Sequence, residues 1–292
     1  MMERGTFFMG LYYALISLSV IMFGVQFLFT DKYQKECGQS ALAAHRLTFY
    51  SGIVGIIILL IINGFSVEYT HFTLICAIAN ALVSLLYSIC ALKALSKINL
   101  SLYSLFAMLG GMVLPFIQGL IFYDEELTAG KIVCFVLITV ALALTVNKDT
   151  NKGGWIYYVG VFVLNGLAGV VSTFFQKSAY PKTNAESFSI WSAVAAVVIS
   201  FTALLILRGK GRKPSFKAIS IAVIGGTLSR LANYVLVIAL AVLPATVQYP
   251  FVTGGVMIAS TIIAAIVGQK PSKREILSVA ISFIGILALV LM

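Results

Sequence analysis

Residues Ala218 to Leu243 read AISIAVIGGTLSRLANYVLVIALAVL, an apolar run of 26 residues with one charge, Arg230, near its middle. A helix rising 1.5 Å per residue needs about 20 mostly apolar residues to cross the hydrocarbon of a bilayer, so this run predicts a membrane-spanning helix. An arginine at mid-depth costs roughly 2.5 to 3.5 kcal/mol on insertion scales, which sends such a residue toward a wet cavity or a partner. No carboxylate falls inside any apolar run of the chain. A negatively charged solute is therefore a candidate partner for Arg230.

Nine more runs of similar size surround this one, giving Phe7 to Thr30, Ser40 to Ile62, Phe72 to Leu92, Leu100 to Phe122, Ala129 to Val146, Trp155 to Gln176, Ser187 to Leu207, Ala218 to Leu243, Ala245 to Val267 and Ile276 to Met292. The composition agrees: 60% of residues are apolar and 10% charged, against about 25% charged in soluble domains, and the mean hydropathy is +1.03. Runs this long exclude a membrane β-barrel, whose strands alternate over about ten residues. The first run is too long for the apolar core of a signal peptide and lacks a small-x-small cleavage site before Asp31, so it is read as a retained helix. The expected class is an all-α membrane protein of ten transmembrane helices. Three of the four cysteines, Cys76, Cys90 and Cys134, lie inside the runs, and with Cys37 they imply no secreted disulfide framework.

The net charge of +10 has a membrane explanation. Of the 20 Lys and Arg, 14 fall in the odd-numbered loops, five of them between Arg208 and Lys217. The opposite face carries Arg4, Lys131, Lys177 and Lys182, with Arg46 and Arg230 inside runs. Cationic loops are retained on the cytoplasmic side. The count therefore places both termini outside, and it accounts for the basic balance without nucleic acid as a partner.

Sliding the chain against itself by 145 residues brings Tyr12-Tyr13 onto Tyr157-Tyr158, Gly24 onto Gly169, Phe29 onto Phe174 and Lys32 onto Lys177. The same shift places Ser84 on Ser229, Phe106 on Phe251 and Gly110 on Gly255. We read two five-helix repeats, 1–147 and 155–292, joined by a linker at 148–154 within one integrated transmembrane domain. Five is odd, so the second repeat enters the membrane in the opposite sense, an inverted-topology duplication. Ile62 to His71 holds no Lys or Arg whereas its counterpart, Arg208 to Lys217, holds five, as expected when equivalent loops face opposite sides.

Two motifs extend the reading. Ala41 to Tyr50, ALAAHRLTFY, resembles the second helix of the drug/metabolite transporter superfamily in its ten-helix EamA-like form, with Arg46 at the family's arginine. Tyr123 to Thr128, YDEELT, resembles that family's Gly-Glu-x-x-Thr turn with Glu125 at the acidic position, and Gly268 to Ser272, GQKPS, resembles its second copy. Asp124 stands where the family has glycine, and Gln269 replaces the acid of the second copy. The resemblance spans the whole chain. It implies a bundle around a central cavity, transport activity, and both termini in the cytoplasm of a bacterial cell, opposite to the charge count.

Candidate binding residues follow from helical spacing. Arg230, Asn233 and Tyr234 stand at i, i+3 and i+4, one face that joins a cation, an amide and a phenol. Arginine's planar fork of donors suits a carboxylate or phosphate. The alternative is internal packing, with Arg230 bonded to backbone carbonyls near Gly225-Gly226. In the equivalent third run, Asn80, Ser84, Tyr87 and Ser88 share a face without a charge. Asn165 and Gln248 are further candidates for contact with substrate. His45, a residue that titrates near neutral pH, is a candidate proton-coupling group. Gly110, Pro115, Gly254 and Pro250 mark candidate gating elements, because proline bends a helix and paired glycines soften it.

These readings converge on a secondary transporter for a small polar, anionic or zwitterionic metabolite, acting by alternating access. The alternative is a flippase for a lipid or lipid-linked sugar, gripping a phosphate headgroup. A proton-driven exporter of cationic drugs is less expected, because neither Leu11 to Phe29 nor Ile156 to Phe175 holds an acid. No enzyme is expected: no catalytic dyad, metal-ligand cluster or phosphate loop is spelled out, and no cofactor is called for. The expected partners are the substrate and the lipid bilayer, with the chain as monomer or homodimer.

Overall fold

The computed structural model describes residues 2–38, 40–95, 100–144, 155–207, 214–268 and 270–292, and all ten elements in them are α-helices. They are α1 (Met2–Cys37), α2 (Ala41–Ile62), α3 (His71–Leu95), α4 (Leu100–Phe122), α5 (Ala129–Leu144), α6 (Trp155–Lys177), α7 (Ala185–Ile206), α8 (Phe216–Ala239), α9 (Ala245–Ile266) and α10 (Lys273–Leu291). The linker read at 148–154 and the basic cluster Arg208 to Lys213 lie outside the described residues. Eight of the helices are long and apolar enough to cross a membrane, and α4 and α5 contribute shorter apolar stretches, Phe106–Phe122 and Ala129–Leu144. The protein is an all-helical membrane protein. Its outer surface carries large apolar side chains such as Ile57, Ile75, Ile121 and Ile262, each more than half exposed, a face suited to lipid.

The helix starts follow local chemistry. Ser40, Asn184, Ser215 and Ser272 each cap the helix after them by accepting a backbone N–H, and Ser272 forms a capping box with Glu275. Two helices run past the apolar stretches that predict them. No glycine or proline interrupts Asp31 to Cys37, so α1 continues through those polar residues and ends where Gly38 adopts φ +74°. The start of α7 at Ala185 takes in Glu186, which corrects the reading that no acid lies within a span. In contrast α8 stops at Ala239, four residues short of Leu243, as the chain turns ahead of Pro244.

The helices pair across the chain: α1 packs on α8 and α9, α6 on α3 and α4, α2 on α7 and α8, α3 on α7, α4 on α9, and α5 on α10. Adding five to each helix number in the first half, and subtracting five in the second, maps this set of contacts onto itself. One contact recurs in detail. A Cβ on Gly24 would touch Ala259 and Ser260 of α9, and one on Gly169 would touch Pro115 of α4. Pro115 is the residue 145 positions before Ser260.

Polar contacts tie the two halves together at one end of the bundle. Ala245 N–H donates to Glu125 Oε1 at 2.9 Å, and Thr246 donates to Oε2 from its N–H at 2.8 Å and from its hydroxyl at 2.7 Å. Pro244, the N-cap of α9, supplies no side-chain bond, so the α4–α5 turn caps a helix of the other half. Asp124 sets the aim of this turn with φ +49°, a left-handed conformation that aspartate tolerates and glycine favours. Beside it, Glu68 accepts from Asn184 N–H at 3.1 Å while its own backbone carbonyl accepts from the Trp191 indole at 3.0 Å.

Glu125→Ala removes the acceptor from three donors at the start of α9, two of them backbone amides. We expect it to lower stability by about 1 to 3 kcal/mol and Glu125→Gln to lower it less, as read from thermal unfolding in detergent. An unchanged unfolding temperature in Glu125→Ala would show that the cap contributes nothing.

Candidate functional site

A cavity of about 560 Å³ lies between the halves, with walls from α1, α2, α3, α6, α7, α8 and α9 and a smaller share from α4. Its lining reaches exposed Gly38 at the α1–α2 turn and ends among buried Phe188, Tyr234, Leu240 and Tyr249. The cavity is thus open toward the face of the odd-numbered loops and closed toward the face where Glu125 and Glu68 tie the halves. An aromatic stack seals the closed end: Phe175 and Phe188 lie 4.1 Å apart between centroids at 12°, with Phe72 stacked beyond them. Tyr249, from α9, donates its hydroxyl to the Gly169 carbonyl of α6 at 3.0 Å and completes the floor.

Arg230 stands in the wall about midway along α8, laid across α2. Glycines make the space for it. A Cβ on Gly55 would come within 2.7 Å of Arg230 Cδ, and one on Gly52 would come within 3.2 Å of Nη2. Nη2 donates a long hydrogen bond, 3.5 Å, to the Thr48 carbonyl. Among the described residues no carboxylate pairs with Arg230. The packing alternative read from sequence is met in part, through a carbonyl of α2 rather than one near Gly225-Gly226.

The cavity collects most of the residues singled out by spacing: Arg230, Asn233, Tyr234, Asn80, Ser84, Tyr87, Ser88 and Asn165 all line it. Several are already engaged. Tyr234 donates its phenol to Glu186 Oε1 at 2.7 Å, Asn233 donates to the Ser229 carbonyl of its own helix at 2.8 Å, and Asn165 bridges to the Ala107 carbonyl of α4 at 2.6 Å. Gln248 lies off the wall, fully buried, with its amide donated to the Leu236 carbonyl at 3.0 Å. It closes the α8–α9 turn by giving a second donor to a carbonyl that already accepts from Leu240 N–H at 3.0 Å. His45 is buried outside the lining, and its Nδ1 has no partner. Gly110 packs against the Phe162 backbone of α6, Pro115 lies against Gly169, and Gly254 meets Ile138 of α5; Pro250 is buried early in α9.

Other lining residues carried no sequence signal of their own. Ser189 and Ser192 on α7, Thr48 and Ser51 on α2, and Thr30 on α1 add hydroxyls to the wall. The Ser192 hydroxyl is buried and has no hydrogen-bond partner. Ser189, Ser192 and Ala196 repeat at three and four residues, the spacing of one helix face, yet a serine on such a face reads equally as packing glue. Among the described residues Arg230 is the one charged side chain of the lining, and no three His, Cys, Asp or Glu gather to hold a metal.

No protein-family model matches the chain, and no curated protein matches it. Among 28 solved chains that match is one described only as the crystal structure of a protein, with a TM-score of 0.79 over 97% of each chain and 16% sequence identity. That likeness shows a shared fold.

Gly55→Ala places a methyl group against Arg230, and crowding of this kind costs about 1 to 3 kcal/mol. In an Arg230→Ala background the Cδ and Nε contacts are gone and the remaining Cβ at 3.8 Å is an ordinary contact, while an alanine in a helix is favoured over glycine by about 0.5 to 1 kcal/mol. We expect Gly55→Ala to destabilise the parent and to be neutral or stabilising in the double variant, in thermal unfolding of all four proteins. Equal effects in both backgrounds would separate Gly55 from Arg230.

Proposed function

We propose that this chain is a secondary transporter, an EamA-like member of the drug/metabolite transporter superfamily, moving a small polar, anionic or zwitterionic metabolite by alternating access. In this reading all ten helices cross the membrane as two inverted repeats. The observation that carries it is the cavity: built from both halves, with Arg230 and a set of hydroxyls and amides placed among apolar side chains, open at one end and plugged by aromatic rings at the other. Support for the repeats comes from the contact pairs that exchange under a shift of five helices, and from the matched packing of Gly24 and Gly169. Lys35 and Lys217 flank the open end, beside Gly38 and Glu36, so by charge retention this conformation faces the cytoplasm. Alternating access then closes that mouth and parts the ties made by Glu68 and Glu125. Helices α4 and α9, which carry Gly110, Pro115, Pro250 and Gly254 and pack on each other, are the elements that shift between states.

Ser84 lines the cavity and is exposed within it. In a variant with Cys37, Cys76, Cys90 and Cys134 replaced by serine, a Ser84→Cys side chain is expected to react with a membrane-impermeant thiol reagent from both sides of the membrane, faster from the cation-rich face. Labelling from one side alone, in inside-out and right-side-out vesicles, would rule out alternating access.

A further inference from the structure

We propose that the cavity selects a net monoanion carrying a hydroxyl beside its carboxylate, a 2-hydroxy acid, over the isosteric zwitterionic amino acid. The inference deepens the transporter reading and rests on its placement of the solute in this cavity.

The wall supplies one charge and nothing to balance a second. Arg230 brings five N–H donors, and one long bond to the Thr48 carbonyl is the hydrogen bond it makes among the described residues. A guanidinium that is partly buried in the wall, packed against Gly52 and Gly55 and, among the described residues, without a carboxylate is completed by an oxyanion in the fork. Binding through that fork sets the substituent on the adjacent carbon within a few ångström of the guanidinium. An ammonium there repels Arg230, because like charges a few ångström apart repel appreciably even beside water.

Sites that accept an ammonium offset the repulsion with an acid. This wall has none, since every described lining residue other than Arg230 is uncharged. Glu186, the nearby acid on α7, is not among the lining residues, and its Oε1 accepts from the phenol of Tyr234, which is. A hydroxyl substituent has no such conflict. It also meets an unfilled need, because the Ser192 hydroxyl on α7 is buried against the cavity with no partner. Val197, a turn and a half further along α7, would contact the same Gly52 Cβ that Arg230 Nη2 approaches, so α7 and the guanidinium meet on one stretch of α2. An alcohol both donates and accepts and so satisfies Ser192 in either sense.

The test is thermal stabilisation of the purified full chain by matched pairs, lactate against alanine and 3-phenyllactate against phenylalanine, with propionate as the acid lacking a hydroxyl. A ligand that binds the folded state alone stabilises by mass action, so concentration series yield relative affinities. We expect at least about tenfold tighter binding of each hydroxy acid than of its amino acid, and loss of hydroxy-acid binding in Arg230→Gln. We further expect lactate to lead propionate by about fivefold in the parent and by nothing in Ser192→Ala, one hydrogen bond's worth. Amino acids that bind as tightly as hydroxy acids overturn the proposal while leaving the cavity a solute site. Hydroxy-acid binding that survives in Arg230→Gln overturns it as well. If neither series stabilises the parent the proposal falls, and two-sided labelling of Ser84→Cys then tells whether the transporter reading falls with it.

Discussion

A guanidinium laid against the backbone of α2, with no carboxylate to answer it among the described residues, is the constraint on which the centre of this bundle depends. Arg230 reaches across from α8, and the long aliphatic stem that carries its charge needs room between packed helices. Gly52 and Gly55 provide that room by presenting bare backbone, and Gly226, one turn before Arg230 on α8, lets Ser51 approach in the same way. Two helices from opposite halves thus come close because both are stripped of side chains where they meet. The guanidinium lies in the gap and turns toward the cavity.

The two ends of the bundle treat their backbone groups differently. At the closed end the first turn of α9 is capped by Glu125 from another helix pair, and Lys182 meets carbonyls at and just past the end of α6, donating to Gln176 and Ser178 at 2.7 Å each. Helix termini carry unsatisfied groups wherever they are buried, so a sealed end requires partners of this kind. Near the open end the helix starts are capped by their own side chains, Ser40, Ser215 and Ser272, and the halves meet through a buried cluster of Tyr33, Ala43, Ala218 and Ala222 with a surface ion pair beside it, Lys217 with Glu36 at 3.0 Å. Exposed pairs of that sort contribute little, typically below about 1 kcal/mol. The halves are joined at both ends, by hydrogen bonds to Glu125 and Glu68 at the closed one and by apolar packing with an exposed ion pair at the other.

Much of this was legible in the chain. Apolar runs predict the helices because each must cover its own backbone in lipid, whatever its neighbours are. Periodicity brings Arg230, Asn233 and Tyr234 to one face, and the same face proves to line a cavity. The readings that changed depend on contacts distant in sequence. Gln248 has the composition of a cavity residue, but the α8–α9 turn takes its amide inward to Leu236. Glu125 reads as a motif acid, yet its work is to cap a helix about 120 residues away. Glu186 sits just outside an apolar run and within the helix, because a helix start is set by its cap, Asn184, and not by where hydrophobicity begins.

What the sequence alone determined is the material of the fold: ten apolar runs, one cation deep in the eighth, acids absent from the runs, and a 145-residue echo that runs through both halves. These are properties of single segments, and lipid acts on segments one at a time. Tertiary structure alone decided which polar side chains share a wall, which are occupied with each other, and which, like Ser192, are left facing the cavity unpaired. A hydroxyl looks the same in the chain whether it meets a carbonyl or empty space. The difference lies in the neighbour that packing brings to it, and that neighbour comes from a distant helix.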